Sequence, residues 1–123
     1  MAAYKAARVA VMRVTPLFYA LPDQLVKVYP KSGEAKEVAD LFRRMQHAGP
    51  IHDAHVAVGT GILAVKDGRV RSEEEQMQLV AALNAKVDKF VEEYTPIMAQ
   101  FTDDPKIARL WGLVCVPAPT ESQ

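Results

Sequence analysis

The stretch SEEEQMQLVAALNAKVDKFVEEYTPIMAQF, residues 72–101, decides the fold. It opens with Ser72 and, three residues on, Glu75. In that pattern a serine side chain accepts the third amide of a helix and the glutamate reaches back to the serine amide. Glu73, Glu74 and Glu75 put negative charge at the positive end of the helix dipole. Val80, Leu83, Val87, Phe90, Tyr94, Ile97 and Phe101 then follow at alternating intervals of three and four. Such a repeat, averaging about 3.5 residues, is the seam of a helix packed lengthwise on other helices. Asp88, Lys89, Glu92 and Glu93 lie off the seam. Thr95-Pro96 interrupts it. Proline lacks an amide donor and clashes with the preceding turn, so a kink or restart is expected there.

Downstream, Asp103-Asp104-Pro105 starts a last helix, with Asp104 as cap and Pro105 in the first position. Ile107, Leu110, Trp111 and Val114 form its apolar face, and Pro117 and Pro119 end it. Upstream, Ser32 caps a helix whose face is Ala35, Val38, Leu41, Phe42 and Met45. Gly49-Pro50 stops that helix. Residues 51–71 have two readings. One is a helix capped by Asp53 and running to Lys66, with Ile51, His55, Val58, Ile62 and Val65 on one stripe and Gly68 at its end. The other is a β-hairpin within 54–70, with strands at 54–58 and 61–65 and an Asp67-Gly68 turn. Gly59 and Gly61 weaken both, each by roughly 1 kcal/mol relative to Ala if helical. The helix is preferred, and it would gather Ala57, Gly61 and Ala64 on a small-residue face.

At the start of the chain, Tyr4, Ala7, Val11, Val14 and Phe18 make a helical stripe with Lys5 and Arg8 beside it. A strand over residues 8–14 is the rival, because valine favours strands. Pro16 should break this helix, with Thr15 as cap of a restart. Residues 23–29, between Pro22 and Pro30, read as a short helix. The expectation is an all-α protein: a small bundle of four to six helices around residues 72–101, with the hairpin at 54–70 as its one variation. Residues 1–119 form a single helical domain, of which 1–22 is a basic segment, and 120–123 are a tail.

Composition excludes several classes. Half the residues are apolar and 24% are charged, which is the balance of a globular domain. Fifteen Lys and Arg offset fifteen Asp and Glu, so broad capture of nucleic acid lacks its electrostatic basis. Lys36 with Arg43-Arg44, and Lys66 with Arg69 and Arg71, are modest patches without interleaved aromatics. The single cysteine, Cys115, excludes an internal disulfide and suits a reducing compartment. No run of about 18 apolar residues occurs, so no spanning helix is expected. The first 22 residues carry Lys5, Arg8 and Arg13 and no acid. This resembles a mitochondrial import segment in composition but is poor in serine, so a basic amphipathic first helix is preferred.

HAGPIHDAH, residues 47–55, holds all three histidines. His52 and His55 are one turn apart, His47 lies across the Gly-Pro corner, and Asp53 could add an oxygen. Zinc or another divalent metal accepts such donors. Each residue also suits a plain corner: His47 in a last turn, His52 in the connection, Asp53 as the next cap. The corner is the expected reading, with no metal bound. Cys115 sits among valines, where a thiol stays protonated and inert. Gly59-Thr-Gly61 lacks the Lys-Ser/Thr of a phosphate loop. The paired carboxylates lie at helix starts or on a solvated face, so no acid–base pair is set up. The expectation is therefore a non-enzymatic accessory or structural subunit, without cofactor, that packs through helices against protein subunits of a larger complex. Phe90, Tyr94, Phe101 and Trp111 are the candidate partner contacts, because aromatics dominate interface energetics. The expected compartment is intracellular, mitochondrial ahead of the bacterial cytoplasm, with peripheral membrane contact through the basic start. The alternatives are a small metal-binding protein or enzyme using His47, His52, His55 and Asp53, and a homodimeric regulator or adaptor.

Overall fold

The computed structural model describes residues 2–64 and 71–116. They are all-α. The helices are α1 (Ala2–Phe18), α2 (Ala20–Val28), α3 (Gly33–Met45), α4 (Pro50–Val58), α5 (Glu73–Met98) and α6 (Pro105–Cys115). A π-helical turn, Gly59–Leu63, continues α4. Among the described residues there is no strand.

The caps act where the sequence placed them. Ser32 Oγ accepts the Ala35 amide at 3.1 Å. Ser72 Oγ accepts the Glu75 amide at 3.1 Å while the Glu75 carboxylate accepts the Ser72 amide at 3.3 Å. Asp104 accepts the Ile107 amide at 3.0 Å. Two expected caps are different: Thr15 lies inside α1, and α2 follows Tyr19 without a side-chain cap. Asp53 lies in the first turn of α4, and the cap is Gly49, whose φ of 113° and ψ of 176° suit glycine alone. Pro50 in the first helical position starts the helix earlier than an aspartate cap would allow.

The hairpin is replaced by helix over its described part, residues 54–63. Gly59 and Gly61 both lie in the turn of π geometry. The small-residue face is realised at Gly61, where an added Cβ would stand 2.7 Å from the tip of Leu79 on α5. The Asp67-Gly68 turn, Pro117, Pro119 and the tail at 120–123 lie outside the described residues.

Neither internal proline breaks its helix at its own position. Pro16 and Pro96 each sit inside the last turn, and the helices end at Phe18 and Met98. The two ends are built alike. Thr15 Oγ1 donates to the Val11 carbonyl at 3.0 Å, and Thr95 Oγ1 to the Val91 carbonyl at 2.6 Å. The Tyr19 and Ala99 amides then close on Thr15 and Thr95. A proline so near the end costs one ladder bond and no downstream turns.

Helix α1 is the hub: it packs on α5 and α6, adjoins α2, and touches α3, α4 and the π-turn. Its buried stripe is Ala3, Ala7, Ala10, Val14 and Leu17, one step round from the expected one, and Tyr4 is exposed. Alanines let several neighbours approach at once, which larger side chains would prevent. The seam of α5 is buried at Val80, Leu83 and Val87, but near its end Met98 is fully buried and Ile97 only partly. A straight helix turns every 3.6 residues, so a 3.5 repeat drifts by about 20° per heptad and passes the core to the next position.

Arg13 is 1% exposed, the largest fully buried side chain of the described residues. Its Nε donates to the Val114 carbonyl at 3.0 Å and Nη1 to Asn84 Oδ1 at 3.0 Å. Nη2 donates to Asp88 Oδ1 at 2.7 Å and to the Cys115 carbonyl at 3.3 Å. The guanidinium thus closes the negative end of α6 while pairing with α5. Removing the guanidinium strands the Val114 and Cys115 carbonyls and Asn84 Oδ1 and leaves a cavity, together about 3–5 kcal/mol. We expect Arg13→Ala to lower unfolding stability by about that amount in denaturant titration. Lysine should restore only part, because it lacks the planar fork. The Asp88 side chain is 64% exposed, so Asp88→Asn should cost about 1 kcal/mol or less.

Candidate functional site

The histidine corner is structural in its contacts. His52 Nδ1 donates to the Gln46 carbonyl at 3.0 Å, so α4 closes the open end of α3. His55 stands edge-on to Phe18, with ring centroids 5.6 Å apart. His47 is exposed in the turn after α3. Among the described residues no group of three or more His, Cys, Asp or Glu is placed to hold a metal ion. Burial, and then the neighbouring His52, push the His55 imidazole below its ordinary value of 6.5. The unfolded chain therefore takes up a proton that the fold resists. This contribution to stability is complete above about pH 6.5 and is lost as pH falls below it. We expect His55→Phe to flatten the loss of stability between about pH 7 and pH 5, measured by denaturant titration at both.

Cys115 is half-buried, and burial raises its thiol against the opposing pull of Arg13. Two of the acidic residues at helix starts are committed to neighbouring groups. Glu73 Oε2 accepts the Ala3 amide at 3.2 Å, so the start of α5 closes the start of α1. Asp104 caps α6 and also accepts from Gln24 Nε2 at 3.4 Å.

The described surface has a concavity of about 570 Å³ between α5 and the α3–α4 corner. Leu41 and Met45 of α3 form one wall, and Ala48, Gly49, Pro50 and Ile51 form the corner. The other wall is α5, through Ala85, Lys86, Lys89, Phe90, Glu93 and Tyr94. Phe90 and Tyr94 are stacked, with centroids 4.4 Å apart and planes at 14°. The fully buried Phe42 meets both edge-on, at 5.6 and 6.3 Å. Trp111 supports Phe90 from the other side at 6.4 Å. The aromatic wall is therefore held rigid by core residues behind it.

Of the four expected contact residues, Phe90 and Tyr94 line this groove, while Phe101 and Trp111 are core. Phe101 is 2% exposed and packs on Tyr29, whose hydroxyl donates to the Phe101 carbonyl at 3.4 Å. Helical spacing could not separate the two pairs: Phe90, Tyr94 and Phe101 share the seam of residues 80–101, and Trp111 lies on the equally apolar face of α6. Lys86 and Lys89 were missed as site residues; the only signal was their position one turn apart beside Phe90. The second wall was legible only as the apolar face of α3.

The chain matches no protein-family model, no curated protein sequence and no solved structure. No helix of the described residues is long and apolar enough to cross a membrane.

The groove wall predicts its own energetics. Phe42→Ala empties the support behind Phe90 and Tyr94 and should cost about 3–5 kcal/mol in thermal or denaturant unfolding. Ala85 is exposed, so Ala85→Arg should change stability by no more than about 0.5 kcal/mol.

Proposed function

We propose that this chain, a bundle of helices about α1 and α5, is a non-enzymatic accessory subunit that docks partner protein through the groove of α3, α4 and α5. The observation that carries this reading is the rigid, half-exposed Phe90–Tyr94 stack in an apolar groove. Aromatic anchors in a preformed pocket are the usual centre of a binding surface, because little conformational freedom is lost when they are covered. The committed roles of Arg13, His52, Glu73 and Asp104 in closing helix ends add to it. His52, Glu73 and Asp104, which sequence alone could offer to chemistry, each hold a structural partner.

The proposed setting is a complex inside the cell, mitochondrial or membrane-associated. The acid-free start of α1 is its basis, narrowed to Lys5 and Arg8 at the surface because Arg13 is internal. The test is the native mass of the chain purified from its source without denaturant. The wild type should migrate well above its own 13.6 kDa, and Ala85→Arg should release it as the free chain. A wild-type species at 13.6 kDa at every concentration defeats the reading. A mass of twice that value assigns the chain to the homodimeric regulators, and one divalent metal per chain restores the histidine alternative.

A further inference from the structure

The groove is made of rows spaced as helices present them. On α5 the lining residues fall in two adjacent i, i+4 rows, Ala85–Lys89–Glu93 and Lys86–Phe90–Tyr94. Leu41 and Met45 on α3 make a third such row. Rows of this spacing, with the trough between them, receive the side-chain ridge of another helix. From Ala85 to Tyr94 the trough is about 14 Å long at about 1.5 Å per residue, room for two to three turns of a partner. Among the described residues there is no strand, so no sheet edge is offered to an extended peptide. A helix satisfies its own backbone and brings only side chains to an apolar trough.

The charges along the trough are ordered. Lys86 stands toward one end, Lys89 near the middle and Glu93 toward the other, and none of the three is ion-paired with another described residue. Resting on the docking reading above, we propose that the groove seats an amphipathic helix of a partner protein, with an acidic residue over Lys86 and Lys89 and a basic residue over Glu93. The apolar rows supply affinity, and the charge order sets the direction in which the helix lies.

The test places a photo-crosslinking phenylalanine analogue at Ala85 in the full chain in its native host and sequences the attached peptide. The expected peptide has apolar residues at i, i+4 and i+7 with Asp or Glu within one turn of the attachment. That peptide, made synthetically and labelled, should gain helix on binding. Its affinity should weaken at least tenfold toward the Lys86→Glu, Lys89→Glu double variant and recover when its acid is changed to Lys. It should also weaken with salt. An attached peptide without an acid, or an affinity indifferent to both charge reversals, overturns the inference; the docking reading survives if Ala85→Arg still releases the chain. Attachment to a lipid, a small amphiphile or a second copy overturns it as well. No attachment, together with an unchanged native mass for Ala85→Arg, removes both. The two lysines are exposed, so an unchanged melting midpoint of the double variant shows that the fold is intact.

Discussion

A buried guanidinium organises this protein. Arg13 lies in the middle of the innermost helix, out of water, and a charge so placed must find partners on several sides. It finds them in the last carbonyls of α6 and in Asn84 and Asp88, one turn apart on α5. Three helices from the two ends of the chain are thereby held in one register. The arrangement is polar in both senses: α1 closes the negative end of α6, and Glu73 of α5 closes the positive start of α1. The alanines of α1 make this geometry reachable, since a bulkier stripe would hold α5 and α6 too far away for the guanidinium to span.

The groove follows from the same constraint. Asn84, Asp88, Val80, Leu83 and Val87 of α5 face α1 or the core, and the adjacent face of the helix is left to α3 and α4. The α3–α4 corner meets that face only in part. Phe42 and Trp111 fill the space behind Phe90 and Tyr94, and the rim beyond them stays open. The corner itself is set by Gly49 and by the His52 bond to Gln46. Histidines that sequence could offer to a metal are in this way tied to the shape of the groove.

Much of the helix pattern was legible because it rests on local chemistry. Ser32, Ser72 and Asp104 cap the residues that follow them, and such bonds depend only on the next few amides. Where the reading slipped, the deciding contact was distant in sequence. The stripe of α1 was placed one step round because nothing near Arg13 in sequence shows that it is internal; its partners lie on α5 and near residue 115. Trp111 and Phe101 read like Phe90 and Tyr94 because an apolar face has the same spacing whether a neighbour covers it or not. Pro16 was expected to break its helix and Pro96 to kink or restart its own, yet each falls in a last turn where little helix remains to be lost.

By itself, then, the sequence determined that the protein is helical, where its capped helices begin and which of their faces are apolar, since hydrogen bonds to neighbouring amides and side-chain periodicity settle those matters within a few residues. The tertiary structure alone decided that Arg13 is internal, that residues 54–63 are helix rather than hairpin, and that two of the three seam aromatics remain partly at the surface. Those outcomes depend on which neighbour excludes water from a given face, and that is a property of the packed chain as a whole.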